Sequence, residues 1–132
     1  INIHMGIAPY YKGTSCNFWA LIDKNPNLVG ATIHLLNKKI DDGKILYHVI
    51  TNFNKDLFLY SMLTVKSAIL SIKKNIQENK IFTIKPTYSN QKILRYSFKK
   101  DFSSTAIKKF YKIKINKKDL TKKYSLIKPF KL

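Results

Sequence analysis

The sequence opens "INIHMGIAPYYKG", with an asparagine at position 2 and a histidine at position 4. In an extended strand, residues i and i+2 share a face, so Asn2 and His4 point the same way. An amide can donate a hydrogen bond to developing negative charge, and an imidazole can carry a proton. A third group, Asp41, begins the run "DDGK" and could supply the carboxylate that orients such an imidazole. Singly, each has an ordinary structural reading. A strand reaching water carries polar residues, and Asp-Asp-Gly is turn chemistry. His48, in "LYHVI", reads as structural. The single Cys16 reads as a small packing residue beside a helix start, with a nucleophile as the alternative.

The elements that would position these groups can be read from periodicity. Residues 1–4 look like the end of a buried strand, followed by the loop "GIAPYYKGTS", punctuated by Pro9 and Gly13. Thr14 or Ser15 can cap a short helix running to about Asp23, with Phe18, Leu21 and Ile22 facing inward. "NPN" at 25–27 ends it. In "LVGATIHLL" at 28–36, Val29, Ala31, Ile33 and Leu35 alternate with Gly30, Thr32, His34 and Leu36, which predicts a strand with one apolar face. "NKKIDDGK" is a turn and "ILYHVIT" a second strand, so 28–50 reads as a hairpin with the Asp pair near its tip. From Asn54 a long helix is expected, with Phe58, Met62, Val65, Ile69, Ile72 and Ile76 as its core stripe. "KIFTIKPTYSNQKILRYS" at 80–97 reads as extended and irregular, Pro86 excluding a central strand. A helix is expected over 103–111, with Phe102, Ala106, Ile107 and Phe110 on one side, then a Lys-rich tail ending in "LIKPFKL".

The 132 residues carry 25 basic and 7 acidic side chains, a formal charge of +18. The excess is uneven, since residues 1–53 are net +2 and residues 54–132 net +16. A basic half of that size can bind phosphates or RNA by counterion release. Yet 24 of the 25 cations are lysine, and phosphate and base recognition lean on the arginine fork. With Ile and Asn also abundant, the excess is read as drift under AT-rich coding, with polyanion binding as the alternative. No apolar run approaches membrane-spanning length, no signal pattern is present, and one cysteine permits no internal disulfide. A reducing cytoplasmic setting is expected, with no membrane partner and no metal. Ile1 is not an initiator methionine, so residues upstream are expected.

Taken in order, four motifs resemble the C-terminal half of the formyltransferase catalytic domain, shared by glycinamide ribonucleotide transformylase, methionyl-tRNA formyltransferase and the sugar N-formyltransferases. These are N-x-H at Asn2 and His4, a loop with Pro9 and Gly13, G-x-T-x-H at Gly30, Thr32 and His34, and D-x-G at Asp41 and Gly43. The resemblance covers roughly residues 1–52. "KILRYS" and "DFSSTAIKKF" are similar, less specifically, to a downstream region of the sugar-type branch. It implies an α/β fold, the C-terminal portion of a Rossmann-like domain: the end of a parallel strand, a β-hairpin and packed helices, without the N-terminal half. Residues 1–80 would belong to the catalytic domain and 81–132 to a Lys-rich, partly helical extension. The chain departs from the pattern at Met5, Ala8 and Lys44, which bear on loop shape.

The resemblance implies transfer of a formyl group from 10-formyltetrahydrofolate to an amine. Asn2 and His4 would stabilise the oxyanion and Asp41 would orient His4 and help receive a proton, with Asp42 as the rival acid. Thr32 and His34 would support them. Leu36, Asn37, Lys38, Lys39, Ile40 and Asp41 would contact the folate. A small amine, such as a nucleotide-linked amino sugar, is the expected acceptor. The alternatives are methionyl-tRNA, a non-catalytic polyanion-binding remnant of the fold, or a hydrolase releasing formate.

Overall fold

The computed structural model describes residues 1–132. In chain order it contains β1 (Asn2–His4), β2 (Tyr11–Gly13), α1 (Cys16–Ile22), β3 (Gly30–His34), β4 (Ile45–Ile50) and α2 (Leu57–Gln77). These are followed by β5 (Arg95–Ser97), α3 (Ser104–Lys112), α4 (Lys117–Leu120) and β6 (Phe130–Lys131). A four-stranded sheet has the order β1-β3-β4-β6, and β2 and β5 form a separate parallel pair. β3 runs antiparallel to both β1 and β4, while β6 adds parallel to β4. The hairpin is therefore present as read. β1 meets one neighbour among these residues, and that neighbour is antiparallel; its other edge is the edge of the sheet.

β3 differs from its alternating pattern, because all five of its residues are buried. Its polar face meets the loop after β1 rather than water. Thr32 Oγ1 donates to the Gly6 carbonyl at 2.6 Å and accepts the Ala8 N–H at 2.9 Å. Polar residues on this face are covered because each finds a partner.

α2 reverses the expected packing. Its buried residues are Tyr60, Thr64, Ser67, Ala68, Ser71 and Asn75, whereas Phe58, Met62, Ile69 and Ile76 of the apolar stripe are exposed. Val65 and Ile72 are only half-buried. Small side chains let the helix lie close on the sheet, and their hydroxyls are satisfied there. Ser71 Oγ donates to the Ala68 carbonyl and lies 3.2 Å from the Tyr47 hydroxyl, while Thr64 Oγ1 accepts from Asn17 Nδ2 at 3.0 Å. The helix starts after Asp56, whose carboxylate accepts the Leu59 N–H; Asn54 instead accepts the Asp56 N–H. At α1 the N-cap residue, Ser15, is left-handed with φ 56° and makes no side-chain cap bond.

Residues 81–132 are stitched to the rest. β5 pairs with β2 inside the segment read as irregular, and Thr87, next to Pro86, bridges Ile45. Arg95, the one arginine, forks onto Asp23 at 3.0 and 2.6 Å and lies over the Trp19 ring. Ser103 caps α3, and Phe18 packs on Phe110 and Phe102. His48 is structural, donating from Nε2 to the Ala8 carbonyl at 2.8 Å and accepting the Ile127 N–H at Nδ1. Burial lowers its pKa to about 4, so the ring is neutral. No helix is long and apolar enough to cross a membrane.

Asn17 braces three elements, because its Oδ1 accepts the Gly30 N–H at 2.9 Å while its Nδ2 reaches Thr64. Asn17→Ala orphans the buried Gly30 N–H and removes the bond to Thr64, whose hydroxyl still donates to the Ser61 carbonyl, and urea melts should show a loss of about 1–3 kcal/mol. An unchanged midpoint would contradict the brace.

Candidate active site

His4 closes β1 and is buried. Its Nδ1 lies 3.1 Å from Asp41 Oδ1, and its Nε2 lies 3.0 Å from the Tyr11 carbonyl. Two acceptors can be satisfied together only when both ring nitrogens carry protons. Burial disfavours that cation, but the Asp41 carboxylate, with the Cys16 side chain beside it, outweighs burial and raises the pKa to about 10. The acid moves the other way. Burial of Asp41 opposes ionisation, yet His4 and the Gly13 N–H, 3.0 Å from Oδ2, hold it below the ordinary carboxylate range.

Asp41 reaches this position from the hairpin, adopting φ 50° at the end of the turn, a left-handed conformation that aspartate tolerates. Its neighbour diverges. Asp42 is 42 % exposed at its side chain and pairs with Lys12 Nζ at 2.8 Å, whereas the Asp41 side chain is 9 % exposed. The two rivals are thus separated by geometry, one on the histidine and one on a lysine at the rim.

His34 connects the remaining polar group. Its Nδ1 donates to the Leu35 carbonyl at 2.8 Å, which leaves Nε2 as an acceptor for the Asn2 amide at 3.2 Å. That contact fixes which end of the Asn2 side chain is NH₂ and leaves its second N–H available. His34 Nε2 is also 4.0 Å from Asp41 Oδ1. The strand pairing is bulged here, Ile33 facing Tyr47 and His34 facing Ile45, so Leu46 is the extra residue. Gly43 completes the fit, since a Cβ there would collide with the Leu35 carbonyl oxygen and come within 3.0 Å of His34 Nδ1.

Asn2, His4, His34 and Asp41 are thus brought together, with Thr32 beneath them holding the 6–8 loop. Leu36 to Ile40 are not in that cluster. Leu36 is exposed, as are Asn37, Lys38, Lys39 and Ile40, and Asn37 bonds within its own turn to Lys39 and Asp42. Sequence reasoning missed the contributions of β2, whose Tyr11 carbonyl and Gly13 N–H hold the ion pair, because backbone groups leave no signature in residue type. It also missed that Cys16 lies beside His4, where Gly6 makes room: a Cβ on Gly6 would meet Cys16 Cβ and sit 2.8 Å from His4 Nε2. No group of three or more His, Cys, Asp or Glu side chains converges as a metal ion would need.

No protein-family model matches the chain. Solved structures do. The chain is similar to a sugar N-formyltransferase from Shewanella sp. at 29 % identity, covering 76 % of this chain and 41 % of that one with a TM-score of 0.64. A 4-N formyltransferase from Francisella tularensis matches at 25 % identity over the same shares, 76 % and 41 %, with a TM-score of 0.61. A formyltransferase from Anoxybacillus kamchatkensis, solved with tetrahydrofolate and a UDP-linked 4-formamido sugar, matches in fold at 23 % identity, 76 % and 52 % coverage and a TM-score of 0.57. The chain therefore has a formyltransferase-like α/β fold, and it spans less than half the length of the first two structures.

Because the fold raises the His4 pKa from 6.5, its contribution to stability is full below that pH and is lost as pH rises toward 10. Asp41, shifted down, contributes above its ordinary 3.8, and that contribution is lost as pH falls through its lowered value. Nitrogen-15 NMR should accordingly find His4 protonated on both nitrogens at pH 8 and neutral at that pH in Asp41→Asn, where the carboxylate no longer offsets burial. A wild-type His4 that titrates near 6.5 would contradict the pair. Gly43→Ala, set against backbone, should cost about 1–3 kcal/mol in denaturant melts, and unchanged stability would contradict the close approach.

Proposed function

We propose that this chain carries the acyl-transfer centre of an enzyme moving a formyl group from 10-formyltetrahydrofolate to the amine of a nucleotide-linked amino sugar. The observation that carries the reading is the buried His4–Asp41 pair beside Asn2, set in a fold shared with sugar N-formyltransferases. The substrate class is supported by the Anoxybacillus neighbour, which was solved with tetrahydrofolate and a UDP-linked formamido sugar.

The chemistry follows from the charges. The amine lone pair attacks the formyl carbon, and the carbonyl electrons move onto oxygen, giving a tetrahedral oxyanion. That charge exists only along the reaction path, so groups already aimed at it lower the barrier. The second N–H of Asn2 donates to it, and the His4 cation stabilises it through space. Doubly protonated and flanked by acceptors, His4 acts by its charge rather than as a base. Asp41 keeps His4 charged and helps pass the amine's proton, through water, toward the folate nitrogen as its bond to carbon breaks. His34 is a positioning residue, acting through the Asn2 amide. Leu36 to Ile40 would contact the folate, and this exposed stretch offers it apolar Leu36 and Ile40.

The test is mass-spectrometric formylation in the natural polypeptide, using 10-formyltetrahydrofolate with UDP- and dTDP-linked amino sugars and, separately, methionyl-tRNA. His4→Ala, Asp41→Asn and Asn2→Ala should each lower turnover by about a hundredfold or more, while Asp42→Asn stays within a few-fold. Loss of turnover in Asp42→Asn but not in Asp41→Asn would reassign the acid. Preference for methionyl-tRNA would overturn the amino-sugar reading, and equal activity in all four variants would overturn the site.

A further inference from the structure

A cavity opens at the far end of the sheet from His4 and Asp41. Gly30 faces Ile50 there, whereas His34 and Ile45 meet at the site end, so the length of β3, roughly 13 Å, separates the two ends. The cavity measures about 600 Å³, within the range of small-molecule sites. Val29, Ile50 and Leu126 give it apolar walls, joined by the rings of Phe53, Tyr60 and Tyr124. Tyr60 donates its hydroxyl to the Pro26 carbonyl and Tyr124 donates its own to Asn25 Oδ1, so what both rings bring to the cavity is carbon.

The walls are joined to one another. Asn27 Nδ2 donates to the Leu120 and Lys122 carbonyls at 2.8 and 2.6 Å, and Lys122 Nζ reaches the Lys24 carbonyl and Asn25 Oδ1. These bonds hold the segment after α4 against residues 24–27. The charge around the cavity is one-sided. No aspartate or glutamate lines it, and three lysines do, Lys122, Lys123 and Lys131. The lysine ion pairs of this chain are made by Lys12, Lys80 and Lys122, which leaves the exposed Lys123 and Lys131 without a carboxylate. The N–H groups of Asn52 and Phe53, two further lining residues, make no hydrogen bond to the backbone. Unpaired ammonium and N–H groups are donors for an anion.

The geometry points to a ligand site here, separate from the candidate active site, that takes the phosphate monoester of a flat ring compound. The ring lies against Phe53, Tyr60 and Tyr124, and the phosphate is held by Lys123, Lys131 and the N–H groups of Asn52 and Phe53. Both halves of the ligand are needed. An uncharged apolar molecule would leave the ammonium groups unused, and a bare anion would leave the apolar walls wet. A phosphate monoester suits this donor set better than a carboxylate, because it brings nearly two negative charges and three acceptor oxygens. The proposal does not depend on formyl transfer, since no lining residue belongs to the Asn2–His4–Asp41 cluster, and its readout is binding.

The experiment titrates the natural polypeptide with phenyl phosphate and with adenosine monophosphate by calorimetry, and follows backbone amides by NMR. At least one of them should bind 1:1, about tenfold or more tighter than inorganic phosphate, phenol or adenosine. Amide shifts should centre on 52–53 and 122–124 rather than on 2–4 and 41. The tighter of the two ligands tells whether the ring carries its phosphate directly or through a ribose. Lys123→Glu and Lys131→Glu, both on exposed positions, should each weaken binding by about tenfold or more, whereas Lys108→Glu, the same charge change on exposed α3, should not. Absence of binding, inorganic phosphate binding as tightly, shifts centred on 2–4 and 41, or an equal loss in Lys108→Glu would overturn the proposal. Formylation is measured apart from it, so either reading can fail alone.

Discussion

A carboxylate taken out of water must be matched by charge and hydrogen bonds, and in this molecule that requirement falls on Asp41. One oxygen faces the His4 ring and the other the Gly13 N–H, so a single side chain ties the end of β1, the end of β2 and the tip of the hairpin. Removing either partner would leave a buried group uncompensated, a far larger penalty than the net worth of the pair. The left-handed turn at Asp41, the bulge before His34 and the absence of a side chain at Gly43 all serve to bring the carboxylate in. β5 in turn secures β2, so even the downstream segment takes part in the site's geometry.

The two layers of the domain are joined by different chemistry on the two sides of α2. Toward the sheet the contacts are small and hydrogen-bonded, through Asn17–Thr64 and Tyr47–Ser71, which specify the helix's placement along and around its axis. Away from it the side chains are large and apolar, and Phe58, Met62, Ile69 and Ile76 are exposed. Directional contacts thus position the helix within the chain.

How far the sequence could be read follows from this division. Strand period, turn chemistry and the i, i+2 rule are local, and they sufficed to place Asn2 and His4 on one strand and Asp41 at a hairpin tip. For α2, periodicity identified the amphipathic stripe but not which side the sheet would occupy. Ser67, Ala68 and Ser71 carry no hydrophobic signal, yet close approach to β3 and β4 requires residues of that size. β5 and β6 were illegible for another reason: three and two residues long, they exist only through pairing with β2 and β4, far away in the chain. The one-faced pattern of β3 misled because its polar side is satisfied by backbone in the 6–8 loop, which no residue type announces.

Arg95 shows where this lysine-rich chain distinguishes one cation from another. Its plane is used twice, edge-on by the two Asp23 oxygens and face-on by the Trp19 ring. A lysine there would keep the charge but supply neither the paired bonds nor the flat surface. Most of the twenty-four lysines are solvated amines on flexible stems, for which sign matters more than shape. At this position the lone arginine holds two distant segments, 19–23 and 95, by the geometry of a cation as well as by its charge.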